Sequence, residues 1–305
     1  MPAKNQSTGR DRVTDRRKIW RSQLYVPANN PRFIDKAHTR GADAYILDLE
    51  DSVPASVKAA ARVALGEAVP NVKQSGADAL VRINRPLRWA VDDIAAAVAA
   101  GADGLLLPKC ESADHVRLLA ETVADCEHDS RRPPGDVGLI VLIETAAAFF
   151  RAAEIAAADA HMVGLALGTE DIAADVGMVP APETLLAPKQ TVIFAARAAG
   201  VTPYGLVGTV ADYKNLDKVR RIAELSRSCG ARGAACIHPT VVPVLNEVFS
   251  PSAEAIAEAE RILAAYEEAT DAGIGAITVD GKMIDVPVVE RARKLLAEAR
   301  QFAER

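Results

Sequence analysis

Leu139-Ile140-Val141-Leu142-Ile143-Glu144-Thr145 and Met162-Val163-Gly164-Leu165-Ala166-Leu167-Gly168-Thr169-Glu170-Asp171 are two apolar runs that each end abruptly in carboxylates. A short run that is continuously apolar, rather than alternating, reads as a strand buried on both faces. The segment between them, 146–158, has the length and alanine content of a helix. Strand, helix and strand in that order make a parallel βα repeat. The two carboxylates Glu144 and Asp171, 27 positions apart, then fall on one rim of the sheet.

The same unit recurs along the chain at intervals of roughly 25–35 residues. Strand-like segments are expected at 23–27, 44–49, 79–84, 104–108, 139–143, 162–167, 203–208 and 234–238. Helix-like segments are expected at 92–100, 113–124, 146–158, 185–199 and 211–226. Gly41, Gly101 and Gly230 stand where a helix would end before the next strand, as left-handed caps do. Eight such units with no break in composition predict an α/β fold, a (β/α)8 TIM barrel. A doubly wound open sheet is the rival, but no GxGxxG follows the first strand. The expected organisation is a disordered basic lead-in over 1–20, a barrel over 21–250, and a C-terminal helical extension over 251–305. The extension contains helices at 252–270 and 288–304 and serves as a lid or subunit-crossing arm.

A chain of 305 residues, half of them hydrophobic, is ample for such a core. The formal net charge of −5 gives no electrostatic case for nucleic-acid binding. Cys110, Cys126, Cys229 and Cys236 lack the close spacing of zinc or redox motifs, which fits reduced thiols in a cytoplasmic protein. The polar, Arg-rich start has no apolar core of a secretory signal. No apolar stretch is long enough to span a membrane, so no membrane partner is expected.

Barrel enzymes carry their sites at the C-terminal strand ends, and charged residues gather there. The second strand runs into Asp48, Glu50 and Asp51, and the third carries Arg82 and Asn84. Lys109 and Glu111 follow the fourth, Glu144 ends the fifth, Glu170 and Asp171 follow the sixth, and His238 ends the eighth. Glu144 and Asp171 suit magnesium, which takes hard oxygens from one or two carboxylates plus water and substrate. The structural alternatives are an ion-paired or capping Glu144 and an N-cap Asp171. Arg82 lies inside an apolar strand and needs an anionic partner. That partner is either a substrate oxygen or a structural Asp48 or Glu50. Lys109 has Glu50, Asp51 and Glu111 as candidate partners. His238 is a candidate acid–base group or a hydrogen-bonded scaffold residue. Glu170 faces solvent or caps the following helix.

Several motifs together resemble the HpcH/HpaI aldolase and citrate lyase beta-subunit family. They are Arg21-Ser22-x-Leu24-Tyr25-Val26-Pro27, Lys36-Ala37, Leu47-Asp48-Leu49-Glu50-Asp51-Ser52-Val53, Val81-Arg82-Ile83-Asn84, Leu107-Pro108-Lys109, Ile143-Glu144-Thr145, Gly168-x-Glu170-Asp171 and Ile237-His238-Pro239. The resemblance implies a magnesium-dependent carbon–carbon lyase, with Glu144 and Asp171 holding Mg2+. It implies that Arg82 and Asn84 meet the substrate and that Glu50 and Asp51 support the charges of the catalytic centre. The tail resembles the malyl-CoA and citramalyl-CoA lyase branch. There Gly281-Lys282-Met283-Ile284-Asp285 matches a lid motif, which makes Asp285 an acid–base residue acting in a neighbouring subunit of a homo-oligomer, a trimer or a multiple of one. The alternative for Asp285 is a turn or N-cap before Pro287. Arg32 and Lys36 match a region that contacts CoA phosphates. The implied partners are a 2-oxo acid and an acyl-CoA thioester. The rivals are a CoA-independent class II aldolase and a carrier-dependent or non-catalytic subunit of a larger lyase. The sequence departs from the family at Gly233-Ala234, at His238-Pro239-Thr240-Val241 and at Tyr204-Gly205, all on the last two strands.

Overall fold

The structure, a computed structural model, describes residues 18–209, 211, 213–271 and 276–303. These residues fall into two compact units, one ending at Glu247 and one running from Val248.

In the first unit eight parallel strands alternate with helices. They are β1 (Ser22–Pro27), α1 (Pro31–Ala37), β2 (Ala44–Asp48), α2 (Lys58–Val72), β3 (Asp78–Arg82), α3 (Leu87–Ala99), β4 (Gly104–Leu107), α4 (Ala113–Asp129), β5 (Gly138–Ile143), α5 (Ala146–Phe149), α6 (Ala152–Ala156), β6 (Met162–Leu167), α7 (Thr169–Val176), α8 (Pro182–Ala198), β7 (Thr202–Tyr204), α9 (Leu216–Ser228) and β8 (Ala234–Cys236), followed by α10 (Val242–Val248). The strand order is β7-β6-β5-β4-β3-β2-β1-β8. Two backbone hydrogen bonds link the edge strands, Arg232 N–H to Pro203 O at 3.0 Å and Gly205 N–H to Gly233 O at 2.8 Å. The sheet is therefore a TIM-type barrel, as the βα periodicity predicts. Gly233 is required at this seam, because a Cβ there would stand 1.9 Å from Trp20 O.

The strands are buried on both faces, which is why they read as continuous apolar runs. Leu47, Val81, Leu105, Val141 and Leu165 face the helices and are fully buried. The barrel interior is filled by Ala44, Ile46, Leu80, Leu106, Ile140, Leu142, Ala166 and Tyr204, with Trp20 among them. The Trp20 ring stacks on Tyr204 with centroids 6.1 Å apart. Its indole N–H donates to Asp78 at 2.7 Å, and Lys18 pairs with the other oxygen of Asp78. This corrects the lead-in expected over 1–20: Lys18–Trp20 belong to the barrel, and Trp20 is part of its packed interior. Residues 1–17 lie outside the described residues.

Two further differences have local causes. The helix expected at 146–158 is broken into α5 and α6 at Phe150 and Arg151, and Phe150 points into solvent. The helix expected from 211 begins at Leu216, where the Asn215 side chain accepts from Lys218 N–H.

The second unit contains α11 (Ala253–Asp271), β9 (Ile277–Val279), β10 (Lys282–Ile284) and α12 (Val286–Ala303). β9 and β10 form an antiparallel hairpin. Its two-residue turn is Asp280-Gly281, both at positive φ (49° and 76°), as a type I′ turn requires. The sequence reading identified no hairpin here, although Asp-Gly between two apolar triplets is its usual signal. Among the described residues no helix is long and apolar enough to cross a membrane.

Candidate functional site

Strand geometry alone assembles the site. Side chains two positions apart share a face. Advancing two residues from the inner layer therefore takes Ile46 to Asp48, Leu80 to Arg82, Leu142 to Glu144 and Ala166 to Gly168. All four arrive at the C-terminal rim facing the axis. There they border a cavity of about 510 Å³ that is also lined by Tyr25, Asp51 and Asp171. This is the size of an ordinary small-molecule site.

The buried Arg82 finds its anionic partner within the protein. Its Nε and Nη2 donate to the two oxygens of Asp48 at 2.7 and 2.8 Å, a two-pronged contact. Nη1 lies 3.0 Å from Glu50 Oε2 and 3.2 Å from Asp51 Oδ2. The guanidinium also sits over the Tyr25 ring, 5.0 Å from its centroid. Burial opposes a charge at both residues. The mutual hydrogen bond more than offsets it, so Asp48 is held below the usual carboxylate range and Arg82 firmly cationic. The structural alternative read from the sequence is thus realised through Asp48. The contacts are unequal, however: Asp48 is buried, whereas the Asp51 side chain is 57% exposed and only loosely held. Glu50 Oε2 is buried and, despite its proximity to Nη1, has no hydrogen bond of acceptable alignment.

Glu144, just past β5, and Asp171, in the first turn of α7, line the same cavity. Gly168 leaves room for the Glu144 side chain: a Cβ there would stand 2.4 Å from Glu144 Cγ. Gly168 N–H also donates to Ile143 O at 2.9 Å, which ties the two strand ends together. Gly168 is the N-cap of α7 and Asp171 its third residue, so the N-cap alternative for Asp171 does not hold. A carboxylate in that first turn is favoured by the helix dipole. Thr145 caps α5 by accepting from Ala148 N–H, so Glu144 is not a cap either. Glu144 is buried and accepts the Lys109 backbone N–H at 2.8 Å. Its burial, and next the charge of Asp171, push its carboxyl up to about 8.

Lys109 stands between these groups. It occupies the left-handed region at φ 52°, and its N–H donates to Glu144. Its ammonium lies 3.0 Å from Glu50, 3.5 Å from Asp171 and 3.8 Å from Asp51. Burial lowers its pKa, but the Glu50 hydrogen bond and the three carboxylates outweigh this and raise it. Asp171 thus replaces Glu111 in the set of partners expected from the sequence. The donor chemistry fits a hard divalent ion: two carboxylates, one of them buried and destabilised as an anion by the other, open onto a cavity with room for water and substrate.

The other candidates are placed differently. Asn84 is turned away from the cavity; its backbone and side-chain N–H groups both donate to Asp93 Oδ2, at 2.9 and 2.7 Å. Arg32 and Lys36 are exposed on α1, one turn apart. Glu170 accepts from the Thr209 hydroxyl. His238 caps the turn Pro239–Val241 by accepting from Thr240 N–H, and its ring stacks on Tyr213, a scaffold role. In the second unit Asp285 Oδ1 accepts from Val288 N–H at 3.3 Å at the start of α12, the helix-start role read as its alternative. Three residues to which the sequence assigned no individual role complete the site: Gly168, whose missing Cβ admits Glu144; Tyr25, which supports Arg82; and Lys58, whose ammonium donates to Leu49 O and Glu50 O and fixes the acidic loop.

A parallel barrel with an ion-paired guanidinium and a carboxylate pair bordering a cavity on its C-terminal rim has the layout of a barrel enzyme. Residues 21–239 match the family described as HpcH/HpaI aldolase/citrate lyase. The citrate lyase subunit beta of Leuconostoc mesenteroides subsp. cremoris is 34% identical over 282 residues, 92% of this chain and 93% of that one. A (3S)-malyl-CoA thioesterase of Cereibacter sphaeroides is 36% identical over 289 residues, 93% of this chain and 96% of that one. Among solved structures, the protein CitE of Mycobacterium tuberculosis in complex with magnesium, acetoacetate and coenzyme A is 31% identical. It superposes with a TM-score of 0.74 over 94% of this chain and 99% of that one. The chain belongs to the HpcH/HpaI aldolase/citrate lyase family, a family of lyases.

Proposed function

We propose that this protein is a magnesium-dependent carbon–carbon lyase. It cleaves, or forms, a 3-hydroxyacyl-CoA thioester such as malyl-, citramalyl- or citryl-CoA, with an acyl-CoA and a 2-oxo acid as the other side of the reaction. The observation that carries this reading is the Glu144–Asp171 pair, two carboxylates that line one cavity, with Gly168 leaving room for the Glu144 side chain. Magnesium held by these two carboxylates would supply Lewis-acid polarisation of the oxo-acid carboxylate and carbonyl.

The chain's own residues do the rest. Arg82 offers Nη1 to the thioester enolate oxygen, which displaces the loosely held Asp51. Asp48 keeps the guanidinium oriented during that exchange. Glu50 and Asp51 balance the charges of Arg82 and Lys109. Asp285 of a neighbouring copy moves the proton in a homo-oligomer, a trimer or a multiple of one. Arg32 and Lys36, exposed on α1, take the CoA phosphates. The similarity to citrate lyase beta subunits favours one second reading, in which a carrier protein rather than CoA bears the thioester.

The test is a matrix of glyoxylate, pyruvate and oxaloacetate against acetyl- and propionyl-CoA, with magnesium and with chelator. The expected result is magnesium-dependent condensation for at least one pair. Inactivity on every free CoA thioester, with activity restored by a carrier-borne one, selects the second reading. Condensation that is equal in chelator overturns the magnesium assignment.

A further inference from the structure

We propose that Lys109 is the internal counter-ion of the Glu144–Asp171 site, and that a divalent cation binds there by displacing the Lys109 ammonium from Asp171. The inference rests on the reading of Glu144 and Asp171 as the magnesium ligands.

One residue touches both carboxylates, by two different groups. The backbone N–H of Lys109, in the turn after β4, donates to Glu144 Oε2 at 2.8 Å. Its ammonium, at the end of four methylenes, reaches Asp171 Oδ1 at 3.5 Å. That second contact is longer than a hydrogen bond, and it is the longer arm of a fork. The same ammonium donates to Glu50 Oε1 at 3.0 Å. Leaving Asp171 therefore costs Lys109 no hydrogen bond, and Glu50 keeps the ammonium tethered nearby.

The local charges require some such exchange. Among the described residues, the ion pairs of Asp48, Glu50, Asp51 and Asp171 are made with Arg82 and Lys109, Glu144 accepts the Lys109 N–H, Lys58 donates to the backbone beside Glu50, and Arg85 borders Glu144 and Asp171. Arg82 is committed to Asp48, and it is Lys109 that pairs with Asp171. A divalent ion on the Asp171 carboxylate and an ammonium 3.5 Å from one of its oxygens would repel each other at that distance, even with both side chains about a third exposed to water. The side chain is 34% exposed, which leaves it room to move. Lys109 thereby sets how tightly the metal is held: the metal-free rim stays intact, and metal affinity is lowered by the competition.

The experiment is calorimetric titration of Mg2+ into the wild-type protein, Lys109→Met, Lys109→Gln and Lys109→Arg, with Glu144→Gln as the site control. Thermal unfolding of each is measured in chelator. Loss of the competing charge in Lys109→Met and Lys109→Gln is expected to tighten Mg2+ binding at least about tenfold and to lower the unfolding temperature in chelator. Lys109→Arg is expected to keep wild-type affinity within about threefold, because a cation remains. Lys109→Gln retains a donor for Glu50, so it serves if Lys109→Met fails to fold. Unchanged or weaker Mg2+ binding in the neutral variants, with wild-type binding abolished by Glu144→Gln, overturns the displacement alone. Wild-type protein with no Mg2+ binding that Glu144→Gln removes overturns the magnesium reading and the displacement with it.

Discussion

Replacing Glu144 by Gln removes a charge and almost no volume, so it isolates the electrostatic cost of the site. Glu144 is held at about 8 rather than the ordinary 4.5 by burial and by the Asp171 charge. A group whose folded-state pKa is raised binds more protons folded than unfolded between those two values. Its contribution to stability is therefore fully present below about pH 4.5 and is lost as pH rises to about 8. At about 1.4 kcal/mol per pH unit, the loss is on the order of 4–5 kcal/mol, as an upper bound. The glutamine has nothing to ionise, and its amide oxygen can still accept the Lys109 N–H. Urea unfolding in chelator should show Glu144→Gln gaining on wild type by on the order of 3–5 kcal/mol between pH 5 and pH 8.5. Magnesium should stabilise wild type at pH 8.5 and leave the variant unmoved. A difference between the two proteins that is flat with pH, or that favours wild type as pH rises, would refute the argument that Glu144 is a destabilised anion awaiting a cation.

Substitutions at three further positions test Gly168, Arg82 and Lys189. Gly168→Ala places a methyl 2.4 Å from Glu144 Cγ; it should cost about 1–3 kcal/mol in urea unfolding and weaken Mg2+ binding at least tenfold by calorimetry. Arg82→Ala leaves Asp48 buried and unpaired, and should lose about 3–5 kcal/mol, with Arg82→Lys recovering only part because it cannot make the two-pronged contact. Lys189 is fully buried, donates to Tyr204 O, and is pushed down to about 7 by burial. The folded protein binds fewer protons there than the unfolded chain between about 7 and 10.5, so the penalty is complete below pH 7 and fades as pH rises towards 10.5. Lys189→Met should therefore stabilise by on the order of 2–4 kcal/mol at pH 6.5 and by less at pH 10, as thermal or urea unfolding will show.

The barrel was legible because strands buried on both faces leave continuous apolar runs, and each expected strand overlaps an observed one. The rim was legible because residues two apart share a face, which brings Asp48, Arg82 and Glu144 into one layer. What escaped depends on contacts between distant elements. Asn84 follows Arg82 by two positions, yet the chain has left the sheet there, and Asp93 of α3 captures its amide. Trp20 reads as the end of a polar tail, and only the closed barrel shows that it packs within the interior. Other features had a signal that went unused. On α8 the stripe Leu185, Lys189, Val192, Ile193 and Ala196 keeps a helical period and is buried throughout, so a lysine on the buried face was visible in the spacing. Asp280-Gly281 announced the β9–β10 turn in the same way. Asp285 shows a helix-start contact within its own unit; its role across subunits belongs to the proposal.

The most direct measurement is the steady-state rate of 3-hydroxyacyl-CoA cleavage as a function of free Mg2+, for wild type and Asp171→Asn side by side, using the best substrate from the matrix. Wild-type turnover is expected to rise from zero in chelator to a plateau, the magnesium dependence on which the proposed lyase reaction rests. Asp171→Asn, folded to the same unfolding midpoint within a few degrees, is expected to lose at least about a hundredfold in rate, as removal of a preorganised transition-state contact does. Full wild-type turnover in chelator, or an unimpaired Asp171→Asn, would contradict the magnesium assignment.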